Sequence, residues 1–279
     1  MFTSFWNLFV RITGSATVSD MYSEEERIAL LELQANMMSS NGGLLALWAA
    51  YNETGFLDCC SWHWVKCNLA TGRVIELNLR AARQAAGDGW SFNASLFLPF
   101  KSLEVLILSE NYIIGWNKNE GFDKLSHLTN LKVLDLQLNY LLFPNVLPPL
   151  CWISSLEVLG FNRILGTQMG SIKFPLLKNR SAPIGLGTHT GLRNLERLDL
   201  STNDFNSTIF SSLKHLPSLK HLDLENNNID GNIEMNDMIA LSNLEFLDLR
   251  MNNFEGFVTT KGTWINNFKE TWSLQAVIV

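Results

Sequence analysis

A nine-residue pattern, LxxLxLxxN, returns along the chain at intervals of about 25 residues, and no other feature restricts its folding as much. It runs Leu103-Glu-Val-Leu106-Ile-Leu108-Ser-Glu-Asn111, then Leu131-Lys-Val-Leu134-Asp-Leu136-Gln-Leu-Asn139. Leu195, Leu198, Leu200 and Asn203 repeat it, as do Leu219, Leu222, Leu224 and Asn227, and then Leu244, Leu247, Leu249 and Asn252. Weaker copies start at Val74 and Leu156, and Leu274-Gln-Ala-Val277-Ile-Val279 fits the first six positions, a last repeat cut short. Starts at 74, 103, 131, 156, 195, 219, 244 and 274 are separated by 29, 28, 25, 39, 24, 25 and 30 residues. Such a period marks a chain that grows along one axis by stacking a single supersecondary unit. The long interval carries Gly166, Gly170, Pro175, Pro183, Gly185 and Gly187 and reads as an irregular loop near 163–190.

Within each unit, LxL is a short strand whose alternate side chains point inward, and one such strand cannot bury its own face. Stacked copies supply the missing partner. Leucines every three residues upstream, as at Leu125, Leu128 and Leu131 or Leu213, Leu216 and Leu219, continue the apolar wedge into each strand. The recurrent Asn is polar in an apolar setting, and such groups persist inside proteins when hydrogen-bonded. Asn111, Asn139, Asn203, Asn227 and Asn252 are therefore expected to form a ladder to neighbouring backbone. The architecture is an α/β solenoid with a parallel sheet, about seven repeats over 74–279.

A solenoid needs its first coil covered. Ser23 followed by Glu26, ahead of Ile28-Ala-Leu-Leu-Glu-Leu33, predicts a capping box and an amphipathic helix ended by Asn41-Gly42-Gly43. Trp48 follows, then Asp58-Cys59-Cys60-Ser-Trp62-His-Trp64-Val-Lys-Cys67 and Thr71-Gly72-Arg73-Val74-Ile-Glu-Leu77-Asn-Leu79. This block resembles the N-terminal cap of plant extracellular leucine-rich-repeat proteins, roughly ER-ALL, W, DCC-W-GV-C and TGRV-L-L. With the repeats it covers Ser23 to about Gly256. The combination is similar to receptor-like proteins in particular, and more distantly to receptor-like kinases and polygalacturonase-inhibiting proteins.

That resemblance implies a leucine-rich-repeat horseshoe with its parallel β-sheet on the concave face and a helical N-terminal cap over 23–73. It implies a disulfide between Cys60 and Cys67, while Cys59 would pair with a Cys before the helix. Met21, Tyr22 and Ser23 stand there instead, which leaves Cys59, like the distant Cys151, without an evident partner. The turn LxGxIP of the family is present in part. Ile229-Asp-Gly231-Asn-Ile233 and Phe254-Glu-Gly256-Phe-Val258 keep the Gly, and Phe205-Asn-Ser-Thr-Ile209 lacks it. None has the Pro, a departure that bears on the second short sheet this turn makes in relatives.

Composition narrows the function. A net charge of −6 offers no basic stripe for phosphates, so nucleic acid is not an expected partner. Residues 1–22 read as a degenerate secretory signal: apolar to Val18, with Gly14-Ser15-Ala16 as a small-residue cleavage region, but lacking basic residues ahead of Arg11, which interrupts the run. Elsewhere no stretch has the ~18 apolar residues of a membrane span. Membrane attachment would come only through a C-terminal anchor missing from this chain.

Catalytic and metal chemistry find little footing. Cys59, Cys60, His63 and Cys67 are a nominal zinc set, but adjacent cysteines rarely aim two thiolates at one metal. Gly185-Leu-Gly187-Thr-His-Thr-Gly191 has one residue too many for a dinucleotide loop, and the five histidines form no recognisable pair or triad. No enzyme activity, cofactor or metal is expected. The sequons at Asn52, Asn93, Asn179 and Asn206 are candidate glycan sites.

The informative residues are those pointing out of the strands, since parallel strands in a row present them as one concave surface. In the last three clear repeats these are Glu196, Arg197, Asp199, Lys220, His221, Asp223, Glu225, Glu245, Phe246, Asp248 and Arg250. Six acidic and three basic residues sum to −3 with His neutral, which favours a basic or hydroxyl-rich ligand. The Asp column at 135, 199, 223 and 248 also belongs to the LDL consensus of the family and reads equally as a solvated face. By resemblance, the chain is the recognition part of a plant receptor-like protein, taking a peptide, protein or glycan ligand in defence or development. Relatives of this kind sit on the extracellular face of the plasma membrane and rely on a partner receptor kinase; the chain as given would be secreted or apoplastic. A secreted inhibitor of polygalacturonases and a truncated, non-signalling product are the alternatives.

Overall fold

In the computed structural model the described residues are 23–37, 48, 58–83, 89–116, 121–141, 150, 152–162, 192–213, 216–239, 241–259 and 276–278. The predicted irregular segment, the segments 1–22 and 41–43, Cys151, Asn52 and Asn179 lie outside them.

Every copy of the repeat supplies one short strand. In chain order the strands are β1 (Val65–Cys67), β2 (Val74–Asn78), β3 (Trp90–Phe92), β4 (Val105–Ile107), β5 (Ile113–Trp116), β6 (Val133–Asp135), β7 (Val158–Gly160), β8 (Arg197–Asp199), β9 (His221–Asp223), β10 (Asp230–Glu234), β11 (Phe246–Asp248), β12 (Asn253–Val258) and β13 (Ala276–Ile278). Nine make one sheet in the order β1-β2-β4-β6-β7-β8-β9-β11-β13, parallel throughout except for the β1–β2 hairpin. The register aligns Leu77, Leu106, Leu134, Leu159, Leu198, Leu222, Leu247 and Val277 in one column. The seven leucines are all buried, the shared core that no single strand has alone.

The period-three leucines have a specific cause. Leu131 N donates to Leu128 O at 3.0 Å and Leu128 N to Leu125 O at 2.9 Å; Leu216 to Leu213 and Leu244 to Leu241 repeat the step. These are 3-10 bonds, whose three residues per turn place every third side chain on one face. Strands and tight turns thus wedge their leucines into the same core. Phe92 adds to it, stacked on Phe97 at 5.5 Å and Phe122 at 4.4 Å.

The Asn ladder closes each coil on the one before. Asn139 Nδ2 donates to Leu108 O, Leu136 O and Gln137 O, while its Oδ1 accepts from the amides of Asn111 and Ile113. Asn111, Asn203, Asn227 and Asn252 donate in the same threefold way. Just before each stands a non-glycine residue with positive φ: Glu110, Leu138, Thr202, Asn226 and Met251. This left-handed turn costs about 1 kcal/mol at each such residue, and the Asn side chain locks it.

Two smaller parallel sheets form away from the main one, β3–β5 and β10–β12. The second answers the question raised by the missing Pro. β10 and β12 pair over five positions with a register shift at Gly231–Asn232, held by backbone bonds and by burial of Ile233 and Phe257 rather than by proline.

In the cap, helix α1 (Glu24–Met37) buries Ala29, Leu30, Leu33 and Met37. The capping box is only half formed, which corrects the sequence reading. Glu26 N sits 3.4 Å from Ser23 Oγ, but the Glu26 carboxylate turns inward, is wholly buried, and accepts from Val74 N at 3.0 Å. It ties the helix to β2 instead of to its own N-terminus. Cys60 and Cys67 are joined by a disulfide. Cys59 is free, and burial pushes its thiol up to about 12, far from a reactive thiolate.

Candidate ligand-binding face

The outward positions of the main sheet fall into columns fixed by register. The first strand position runs Val105, Val133, Val158, Arg197, His221, Phe246; the third runs Ile107, Asp135, Gly160, Asp199, Asp223, Asp248. All eleven residues singled out in the sequence lie on this side of β8, β9 and β11 or directly beside those strands.

The Asp column first serves the backbone. Oδ1 of Asp135, Asp199, Asp223 and Asp248 accepts from the amide two residues on, at Gln137, Ser201, Glu225 and Arg250, with distances of 2.9 to 3.0 Å. Each bond turns the chain out of its strand into the left-handed residue that follows. Asn78 does the same for Arg80 in the first copy.

Beyond that shared bond the aspartates differ. Asp248 is 1% exposed and is covered by its own Arg250, which also reaches Glu225 at 3.0 Å. As a freely solvated or ligand-facing group it is corrected: an ion pair occupies it. Asp223 is half-buried, and burial together with neighbouring Asp199 and Asp248 pushes its carboxyl up to about 6, against the pull of the Glu225 amide. Oxygens of Asp223, Glu225 and Asp248 lie within 4.8 Å of one another, and Arg250 already supplies the counter-charge there.

Row by row, the residues ahead of the strands run Glu104, Lys132, Glu157, Glu196, Lys220, Glu245, a lysine between two glutamates in each half. Lys132 bonds Glu104 at 2.8 Å and Lys220 bonds Glu196 at 2.7 Å. His221 stacks on Phe246 at 6.0 Å, and burial holds its imidazole below the usual histidine range, so at neutral pH this pair is an uncharged aromatic shelf.

Between the shelf and the valines the face sinks into a hollow of about 410 Å³, lined among others by Val133, Val158, Gly160, Arg197, Asp199 and His221. Sequence reasoning missed its left half, because it stopped at the last three clear repeats. The signal was present at Gly160, where an otherwise regular aspartate column loses its side chain.

Of the described sequons, Asn93 caps a 3-10 turn through Ser95 N, and Asn206 accepts from Thr208 N at 3.1 Å and from its hydroxyl at 2.6 Å. Both are partly exposed.

The leucine rich repeat family profile matches residues 193–254. The chain is 56% identical to Cuscuta receptor 1 of Solanum lycopersicum over 259 residues, 86% of this chain and 23% of that protein. It is 34% identical to Receptor like protein 21 of Arabidopsis thaliana over 223 residues, 76% of this chain and 20% of the relative. It thus spans between a fifth and a quarter of the length of these curated relatives. Among solved structures, human trophoblast glycoprotein aligns at 24% identity with a TM-score of 0.46, over 65% of this chain and 62% of that one.

Proposed function

The chain belongs to the plant leucine-rich-repeat proteins of the receptor-like kind, and from that premise we propose that it is a recognition segment whose concave face binds an extracellular peptide, protein or glycan. One observation carries the reading. The nine-stranded sheet aligns unlike side chains in columns, an aromatic shelf at His221 and Phe246, paired charges at its borders and a hollow between. A face built only for solubility has no need of a hollow or of stacked aromatics. The role is non-catalytic: binding energy would be passed on as a signal in defence or development, with a receptor kinase as partner. Among the described residues no helix is long and apolar enough to cross a membrane.

The test is a screen of immobilised full-length chain against arrays of short peptides and plant or microbial oligosaccharides. A double variant, His221→Ala, Phe246→Ala, is compared with a back-face variant, Lys124→Ala. Ligands that weaken at least about tenfold with the double variant and are unchanged by the other support the concave face. Ligands lost only with Lys124→Ala sink it.

A further inference from the structure

The third outward column reads Asp135, Gly160, Asp199, Asp223, Asp248 across β6 to β11. At Gly160 the missing side chain is replaced from a neighbouring coil. The side chain of Gln137 lies over the glycine, its Cγ and Nε2 each 3.1 Å from where a Cβ would stand, and its amide donates to Asp199 Oδ2. A neutral donor thus occupies the Asp199 carboxylate above an apolar floor of Val133 and Val158.

We propose that this hollow is a subsite for the basic side chain, lysine or arginine, of a peptide ligand, and that the Gln137 amide is the internal placeholder it displaces. The inference rests on the reading that the concave face is the binding face. Charge complementarity selects the occupant. Asp135, Asp199 and Asp223 line the hollow against the single cation Arg197. Among the described residues Asp135 accepts a single hydrogen bond, at Oδ1 from the Gln137 backbone N–H. Exposed Glu157, beside the hollow on the same coil, has no ion pair among the described residues, because Lys132 bonds Glu104 and Lys220 bonds Glu196. A long basic side chain lays its methylenes on the valines and brings its charged head to the carboxylates. Its N–H groups replace a neutral amide on Asp199 by a charge-assisted donor, the stronger bond.

The experiment titrates the peptide Ac-Gly-Gly-Arg-Gly-Gly-NH2 and its citrulline analogue, which has the same shape without the charge, into isotope-labelled full-length chain, reading amide shifts and Kd by NMR. The arginine peptide is expected to shift β6, β7 and β8 and to bind at least about tenfold tighter than the citrulline peptide. Gly160→Leu, which fills the hollow, should abolish that preference. Glu157→Gln, an exposed change that leaves the core alone, should weaken arginine binding about threefold, while Gln137→Ala and Arg197→Gln should tighten it. Equal binding of the two peptides, or indifference to both Gly160→Leu and Glu157→Gln, overturns the subsite. If the shifts then fall on His221 and Phe246, the binding-face reading survives without it.

Discussion

Asp135, Asp199, Asp223 and Asp248 are one letter in one repeat position, yet only their backbone bond is common to all four. Asp248 is buried under Arg250, whereas Asp223 is half-buried, makes no ion pair among the described residues and has its carboxyl raised to about 6. A raised carboxyl means that the folded chain takes up a proton more readily than the unfolded one. The contribution of Asp223 to stability is then greatest below about pH 4, is lost between pH 4 and 6, where the unfolded chain has already released the proton that the folded chain holds, and stays lower above. Asp223→Asn keeps the bond to Glu225 N and removes the charge. It should be neutral at pH 4 and stabilising at pH 7.5 by on the order of 1 kcal/mol, discounted for partial exposure. Urea unfolding at the two pH values checks this; equal effects at both would place the raised carboxyl elsewhere.

Among the elements, the hairpin β1–β2 and the paired β10–β12 show two ways of ending a regular pattern. The Cys60–Cys67 disulfide and the buried Glu26 fasten the cap to the first repeat. The β10–β12 sheet depends instead on Gly231, which adopts φ +63° at the register shift. No atom lies within 4 Å of a Cβ built there, so the cost of Gly231→Ala is conformational alone, about 1 kcal/mol. Denaturant midpoints should show that loss, with hydrogen exchange rising in β10 and β12 and unchanged in β1 and β2. A neutral Gly231→Ala would mean that the second sheet does not constrain this residue. The LxGxIP comparison gave little warning that the sheet would form, because its stability comes from Ile233 and Phe257 in the shared core.

At the scale of the whole molecule, the described strands of the main sheet pair only with those of adjacent coils, so damage should stay local. Leu222 is fully buried between Leu198 and Leu247. Leu222→Ala should cost about 3 kcal/mol, with exchange protection falling in β8, β9 and β11 and barely changing in β2 and β4. A uniform loss along the chain would show that the solenoid unfolds as one unit. The solenoid, the strand positions, the Asn ladder and the charged residues facing out of β8 to β11 were legible in the sequence, because a repeated local pattern states its own periodicity and inward face. The fate of individual side chains was not. Glu26 ties α1 to Val74, 48 residues on, and Gln137 fills the space left at Gly160 and bonds Asp199, 62 residues on, both contacts between coils, while Arg250 covers Asp248 within its own coil. Even the shortest of them depends on the burial that stacking imposes. Register sets the columns; which charges remain available within them depends on how neighbouring coils desolvate and pair them.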